Sequence, residues 1–187
     1  MTASLDLKLF NSRIKRFYEQ WEVARAMLSL NFSPRKTSPP MSMLFSSLMT
    51  YFFGYELQET AMLFVKKGIT ILSSRKKVEF LKPLKTSGIE NLNFTLLTRS
   101  QDDADKANID ILVKDFASSG RGEKLGIFSK EIERNSESEF SKSVASILKS
   151  KAKEVVDTSL VFSRFFAAKE EIEVQYLRKA SEVTCIL

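Results

Sequence analysis

The chain has no histidine in its 187 residues and a single cysteine, Cys185. Histidine is the usual general base at neutral pH and the commonest zinc ligand, and it is the partner that activates most serine and cysteine nucleophiles. Catalysis would therefore have to use carboxylates, lysine or tyrosine. The composition favours a protein that is not an enzyme, with no catalytic residues, no metal and no cofactor.

One dense acidic group lies at Asp102, Asp103, Asp105 and Asp110. Four carboxylates could in principle hold a divalent ion, but a calcium loop needs a fixed ladder of oxygen ligands with a central glycine and a terminal glutamate, which this stretch lacks. The group precedes the helical pattern of residues 109–116, and aspartate is favoured at the positive end of a helix dipole. We interpret these residues as a helix start.

A candidate interaction patch is formed by Arg75, Lys76, Lys77 and Lys82. Helical spacing places several of these charges on one side, where they could hold phosphate groups or an acidic protein segment. The alternative is the solvated face of an amphipathic helix. No aromatic residue is interleaved among the charges, which disfavours binding of single strands by stacking. The net charge of +6 favours acidic partners through long-range attraction.

Helical periodicity identifies elements that would position these residues. Apolar residues at intervals of three and four run over residues 7–21, with Asp6 as a plausible N-cap. Residues 43–53 are apolar nearly all round and end at Gly54, which easily takes the left-handed conformation that closes a helix. Further helices are predicted from Ser74 to Pro83, over 109–116, after a capping box at Ser136 and Glu139, and over 160–166.

Short apolar runs predict strands near residues 26–32, 61–65, 69–72, 92–97, 124–128 and 155–156. The second and third flank Lys66-Lys67-Gly68, a tight hairpin turn in which Gly68 would supply a positive φ. Strands that alternate with helices, together with one hairpin, predict an α/β fold: a mixed β-sheet flanked by helices on both faces.

The last segment carries an apolar stripe at Ile172, Tyr176, Ala180, Val183 and Leu187, which predicts a helix. Its apolar face could belong to a second domain, or it could pack back on the first. The longest apolar stretch, residues 41–55, is too short and too polar to span a bilayer, so no membrane partner is expected.

The sequence resembles a known family at Phe53-Gly54-Tyr55-Glu56-Leu57 and then at Thr60, Met62, Phe64 and residues 71–82. These residues are similar to the large subunit of the FACT histone chaperone. The resemblance extends to the opening helix (5–21), to a lobe junction (156–169) and to the first helix of the next lobe (176–181). Residues 88–135 match only in their order of strands and helices.

The resemblance implies the fold of the creatinase/aminopeptidase N-lobe, in a non-catalytic version whose second lobe would carry the metal site of the enzymes. Residues 1–167 would form the N-terminal lobe, and residues 168–187 the first helix of a second, pita-bread-like lobe that is missing or truncated. It also implies a nuclear, chromosomal protein that binds core histones and nucleosomes and supports nucleosome reorganisation in transcription, replication and repair. The HMG-box subunit of the FACT complex would be a partner, through parts absent from this chain.

Two alternatives stay open from the residues. The chain could be the N-lobe of an active aminopeptidase P-like metallopeptidase, in which case a downstream lobe would carry aspartate, histidine and glutamate ligands. It could instead be a basic nucleic-acid-binding module, whose weak contact with DNA would fall steeply with salt.

Overall fold

The computed structural model describes residues 5–19, 26–31, 43–89, 91–100, 105–119, 124–129 and 139–186. The helices with defined bounds are α1 (Leu7–Glu19), α2 (Met43–Phe53), α3 (Arg75–Leu81), α4 (Lys106–Ser118), α5 (Glu139–Lys151), α6 (Ser159–Ala167) and α7 (Glu171–Ile186). The strands are β1 (Ala26–Asn31), β2 (Thr60–Val65), β3 (Gly68–Ser73), β4 (Asn93–Thr98), β5 (Lys124–Ile127) and β6 (Glu154–Asp157). A 3-10 turn, Lys82–Thr86, continues α3.

The strands form one six-stranded sheet in the order β4-β3-β2-β1-β5-β6. Strand β2 pairs antiparallel with both of its neighbours, while the remaining pairs are parallel. The β2–β3 pair is the predicted hairpin, and helix α3 with its 3-10 turn supplies the crossover that parallel β3 and β4 require. The predicted mixed sheet is confirmed.

Helices cover both faces of the sheet at strands β2 and β3. Every residue of β2 and β3 is buried. On one face the Phe64 ring lies 5.1 Å from Phe17 of α1 and 6.0 Å from Phe52 of α2. On the opposite face Thr70 donates a hydrogen bond to Asp115 of α4. The prediction of helices on both faces is confirmed.

The predicted start of α1 and the predicted end of α2 are also confirmed. The amide of Leu9 donates to Asp6 Oδ1 at 3.0 Å, as expected of an N-cap. Gly54 has a φ of +67° and its amide donates to Thr50 O at 2.9 Å, which closes α2. The predictions that involve Trp21, Phe32 and Ser136 fall outside the described residues.

The apolar stripe of α7 does not pack back on the lobe. Ile172, Tyr176 and Val183 are 44%, 64% and 63% exposed. These exposed fractions favour the interpretation in which the apolar face of α7 belongs to a second domain over the one in which it packs against the first. None of the described helices combines the length and the apolar character needed to cross a bilayer.

The expected role of Gly68 is also wrong. The hairpin turn forms, but the glycines with positive φ in the described chain are Gly54 and Gly88. Gly68 is required for space instead, because a Cβ atom built on it would lie 2.9 Å from the main-chain oxygen of Asn93 on the neighbouring strand. A side chain here would push β4 away from β3.

We expect Gly68→Ala to lower the free energy of unfolding by about 1 to 3 kcal/mol, since the new methyl group meets backbone that cannot rotate away. Urea denaturation followed by circular dichroism measures this change. Lys67→Ala is the matched control, because the Lys67 side chain is exposed in the same turn. Equal midpoints for the two variants would contradict the steric explanation.

Candidate interaction surface

Three residues of the predicted basic patch lie on α3, and the fourth, Lys82, begins the 3-10 turn that follows it. Arg75, Lys76 and Lys82 are exposed. Helix α3 begins after Ser74, whose backbone is extended. The carbonyl oxygen of Ser74 accepts hydrogen bonds from the amides of Lys77 and Val78. Arg75 and Lys76 follow in the first turn, and neither forms an ion pair or a side-chain hydrogen bond with another described residue. Cations in the first turn oppose the helix dipole, so these two charges do not stabilise α3.

The other two patch residues are engaged within the lobe. The half-buried Lys77 donates a hydrogen bond from Nζ to the main-chain oxygen of Gln58. Burial lowers the pKa of Lys77, the carboxylate of Glu59 opposes that shift and the charge of Arg99 adds to it. Lys82 Nζ lies 2.6 Å from Glu79 Oε2 one turn earlier. The exposed part of the patch with uncommitted charges is therefore Arg75 and Lys76.

The aspartate group is split by the fold. Asp105 is buried and accepts hydrogen bonds from the Ser100 amide at 2.7 Å and from Arg99 Nε at 3.2 Å. Asp105 is the N-cap residue of α4, as the predicted helix start requires, and its main-chain oxygen accepts a hydrogen bond from the Ile109 amide; its side chain makes no capping bond. Asp110 is exposed, while residues 102 and 103 fall outside the described ranges.

Within the described ranges, no three acidic, cysteine or histidine side chains cluster closely enough to hold a metal ion. Asp105 instead neutralises Arg99, which also lies 3.4 Å from Glu59 Oε2. The Arg99 guanidinium stacks 4.0 Å above the Phe140 ring and so ties α5 to the end of β4. Asp105 is therefore part of an internal ion-pair network with Arg99 and Glu59.

A second, partly buried ionic cluster joins α1 to the start of α7. Arg13 Nη2 lies 2.9 Å from Glu170 Oε2, and Arg13 Nε donates to the same oxygen at 3.0 Å. The other carboxylate oxygen of Glu170 accepts a hydrogen bond from Tyr51 Oη at 2.7 Å. Arg13 also donates to the main-chain oxygen of Tyr51 and lies 4.2 Å above its ring. Residues far apart in sequence thus meet at one carboxylate.

Arg16 extends this cluster by one helical turn. Its Nη2 donates hydrogen bonds to the main-chain oxygen of Phe165, in the last turn of α6, at 3.3 Å and to that of Ala168, the residue just after the helix, at 2.8 Å. Its guanidinium lies 5.0 Å above the Phe165 ring. A cation at the C-terminal end of a helix is favoured by the dipole. Arg16 therefore holds the end of α6, and Arg13 holds the residue before α7.

The cluster shifts the pKa values of its two ionisable acids in opposite directions. Burial alone would raise the pKa of Glu170, but the hydrogen bonds from Tyr51 and Arg13 and the charges of Arg13 and Arg16 outweigh it, so the pKa falls. Burial, reinforced by the hydrogen bond and charge of Glu170, raises the pKa of Tyr51. The cluster is a charge-satisfied structural joint, since its acceptors and donors are used within the lobe.

Sequence reasoning missed this joint, although α1 held a signal for it. Arg13 is buried and lies on the same face as Phe10 and Phe17, three and four residues away. A basic residue within an apolar stripe indicates a buried cation that needs a partner. The partner, Glu170, lies 157 residues further along the chain and carries no pattern that marks it.

Comparison with solved structures places this fold in the class of the aminopeptidase N-lobe. An X-Pro aminopeptidase from Thermotoga maritima aligns with a TM-score of 0.55 and 13% identity, over 89% of this chain and 40% of that one. A likeness at that identity shows the fold alone. The predicted fold of creatinase/aminopeptidase N-lobe type is confirmed.

The particular family is shown by sequence as well. The model of the FACT complex subunit SPT16 N-terminal lobe domain matches residues 5–161, and the chain belongs to this family. The FACT complex subunit spt-16 of Caenorhabditis elegans is 34% identical over 97% of this chain, and the SPT16 subunit of Zea mays is 28% identical over the same share. This chain spans 18% of the length of each.

A solved structure of a member of this family has a similar fold. The N-terminal domain of FACT complex subunit SPT16 from Cicer arietinum has a TM-score of 0.79 and 26% identity to this chain. The alignment covers 92% of this chain and 41% of the chickpea domain.

We expect Glu170→Gln to lower the free energy of unfolding at neutral pH by about 1 to 2 kcal/mol, because Arg13 loses its charged partner. The pKa of Glu170 in the fold lies below its ordinary value of 4.5. The unfolded chain therefore takes up this proton first as the pH falls, so the stabilisation is complete above 4.5 and is lost below it. Urea denaturation of both proteins at about pH 7 and about pH 3 measures the difference, which we expect to shrink in acid.

Glu171→Gln provides the control, because Glu171 is exposed on the next residue. It should leave stability within about 0.5 kcal/mol at either pH. A Glu170→Gln effect of the same size at neutral and acidic pH would show that the charge of Glu170 is not what stabilises the joint.

Proposed function

We propose that this chain is a non-catalytic interaction module of a FACT-like histone chaperone, which binds core histones and nucleosomes in the nucleus. The match of the SPT16 N-terminal lobe family over residues 5–161 carries this proposal. The module would support nucleosome reorganisation in transcription, replication and repair. Its relatives are named as subunits of the FACT complex, and the HMG-box subunit of that complex would be a partner of the whole protein.

A non-catalytic role agrees with the side chains that this lobe offers. The chain has no histidine. The buried carboxylate of Asp105 and the half-buried one of Glu170 are both held by arginines, at 3.2 Å and 2.9 Å. The lowered pKa of Glu170 makes that carboxyl a poor general acid at neutral pH. The likeness to aminopeptidases supports a shared fold, not a shared reaction.

The exposed charges of Arg75 and Lys76 support a contact with nucleic acid rather than with histones. Core histones are themselves basic, so a basic pair does not attract them. The phosphates of nucleosomal DNA are the complementary surface, and contacts to phosphate carry no sequence information. We therefore assign the weak DNA contact to this pair and the histone contact to another face of the module.

We propose further that residues 1–167 are one lobe and that residues 168–187 begin a second. The stripe on α7 is exposed, and the Glu170 joint fixes the point at which this helix leaves the lobe. The chickpea domain, of which this chain covers 41%, is large enough to include such a second lobe. An apolar helix face of this kind is typical of a segment that packs against another domain.

We expect the chain to retain core histones in a pull-down at both about 0.1 M and about 0.3 M salt, and to retain duplex DNA only at the lower concentration, where charge screening is weaker. Arg75→Glu with Lys76→Glu should abolish the DNA signal and leave the histone signal intact. Lys106→Glu with Lys114→Glu makes the same change of charge on exposed sites of α4 and should retain more DNA than the α3 variant.

Failure of the unmodified chain to retain histones at either salt concentration would contradict the proposed function. Equal loss of DNA binding in the two charge-reversed variants would show that net charge, and not the α3 pair, supplies the contact.

We expect a chain that ends after Ile172 to unfold within about 0.5 kcal/mol of the full chain, because the removed residues lie mostly on an exposed helix while Glu170 is retained. Urea denaturation measures this difference. A loss of several kcal/mol would place α7 in the first lobe and contradict the proposed boundary. Ending the chain before Glu170 is the positive control, since that change removes the joint.

A further inference from the structure

A cleft of about 380 Å³, lined mostly by residues with polar side chains, lies on the sheet face that α4 covers, at the end of the β2–β3 hairpin. It is lined by the hairpin turn, by the start of β4 and by the last turn of α4. None of the residues of the α3 patch or of the Glu170 joint belongs to it. Its two sides carry opposite charge.

The side formed by α4 accepts hydrogen bonds. The carboxylate of Asp115 is half-buried and accepts a hydrogen bond from Thr70. Ser118 Oγ donates to the main-chain oxygen of Asp115 at 2.9 Å, and Ser119 Oγ donates to that of Phe116 at 2.7 Å. Because both hydroxyl protons are used in this way, the serine oxygens remain as acceptors. The C-terminal end of α4 adds negative potential, so this side is suited to a cationic donor.

The opposite side is cationic. Lys66 and Lys67 are exposed in the hairpin turn, and neither forms an ion pair with another residue in the ranges that the structure describes. Asn93 and Thr95 lie between the two sides and bring an amide and a hydroxyl group. The cleft therefore offers places for an anion and a cation next to each other.

We propose that this cleft binds a peptide segment in which a lysine or arginine lies close to an acidic residue. The basic side chain occupies the Asp115 side, and the acidic one occupies the Lys66 and Lys67 side. A nucleic acid fits less well, because its phosphates would meet Asp115 and the negative end of α4. A peptide also matches the polar groups of Asn93 and Thr95, which can bond to a peptide backbone. This binding goes beyond the proposed function and does not depend on it.

The test is a titration of the full 187-residue chain, labelled with nitrogen-15, with glycine-rich heptapeptides followed by NMR. One peptide carries a lysine and a glutamate separated by one glycine; the others have glutamine in place of the lysine or of the glutamate. We expect the first peptide to shift the amides of Lys66, Lys67, Asn93 and Ser119. Each glutamine replacement should weaken binding about fivefold, as expected for one partly exposed ion pair.

Variants of the chain show which side of the cleft binds the basic and which the acidic residue of the peptide. Asp115→Asn should weaken binding of the mixed peptide about fivefold and remove the preference for lysine over glutamine. Lys66→Gln with Lys67→Gln should remove the preference for glutamate. The matched controls, Asp110→Asn and Arg178→Gln with Lys179→Gln, change exposed residues elsewhere and should preserve both preferences.

Lys66 and Lys67 are exposed, so the variant with glutamine at both positions folds even if Asp115→Asn does not. In that case, whether this variant loses the preference for the glutamate peptide decides the proposal. Equal binding of all three peptides would overturn the proposal. So would inorganic phosphate that shifts the same amides as strongly as the mixed peptide, because the cleft would then be a simple anion site.

Discussion

The packing of Phe17 is the contact on which most of this lobe depends. Its ring lies 5.1 Å from Phe64 in the sheet, 5.6 Å from both Phe52 of α2 and Phe162 of α6, and 5.9 Å from Phe165. Elements from both ends of the sequence therefore meet at one side chain of α1. Aromatic side chains of this size bury the largest apolar area per residue, and edge-to-face geometry adds to that. Helices α1, α2 and α6 pack together at this point and so shield the sheet face beneath them from solvent.

That apolar contact also explains why a charged joint can exist beside it. Arg13 and Arg16 lie within one turn of Phe17 on α1, so packing the ring carries both guanidinium groups to the edge of the core. An arginine at such a depth would be costly without partners. The carboxylate of Glu170 and the carbonyl oxygens of α6 supply them. The direction in which the chain leaves the lobe is thus a consequence of where α1 packs.

Much of the fold followed from local patterns, and the departures have a common cause. The 3.6-residue period of α1, the near-continuous apolar run of α2 and the hairpin at 66–68 each depend on neighbours in sequence, and each is present. The pattern could not show that Gly68 is needed because of Asn93 on another strand, that Asp105 faces Arg99, or that Lys77 reaches the carbonyl of Gln58. Two of these contacts join elements that are distant in sequence, and the third joins residues six apart, at the end of β4 and the start of α4. Periodicity contains no information about any of them.

The same contacts change what the net charge of +6 means for binding. Four basic residues bind partners within the lobe: Arg13, Arg16, Lys77 and Arg99. They contribute to the net charge but not to a binding surface. In the part of the chain that the structure describes, exposed cations without an ion-pair partner are spread over several elements, including the first turn of α3, the β2–β3 turn and helix α4. Separate pairs of charges make short, local contacts rather than one continuous track along a polyanion. The distribution of charge therefore fits the proposed interaction module better than a dedicated nucleic-acid binder.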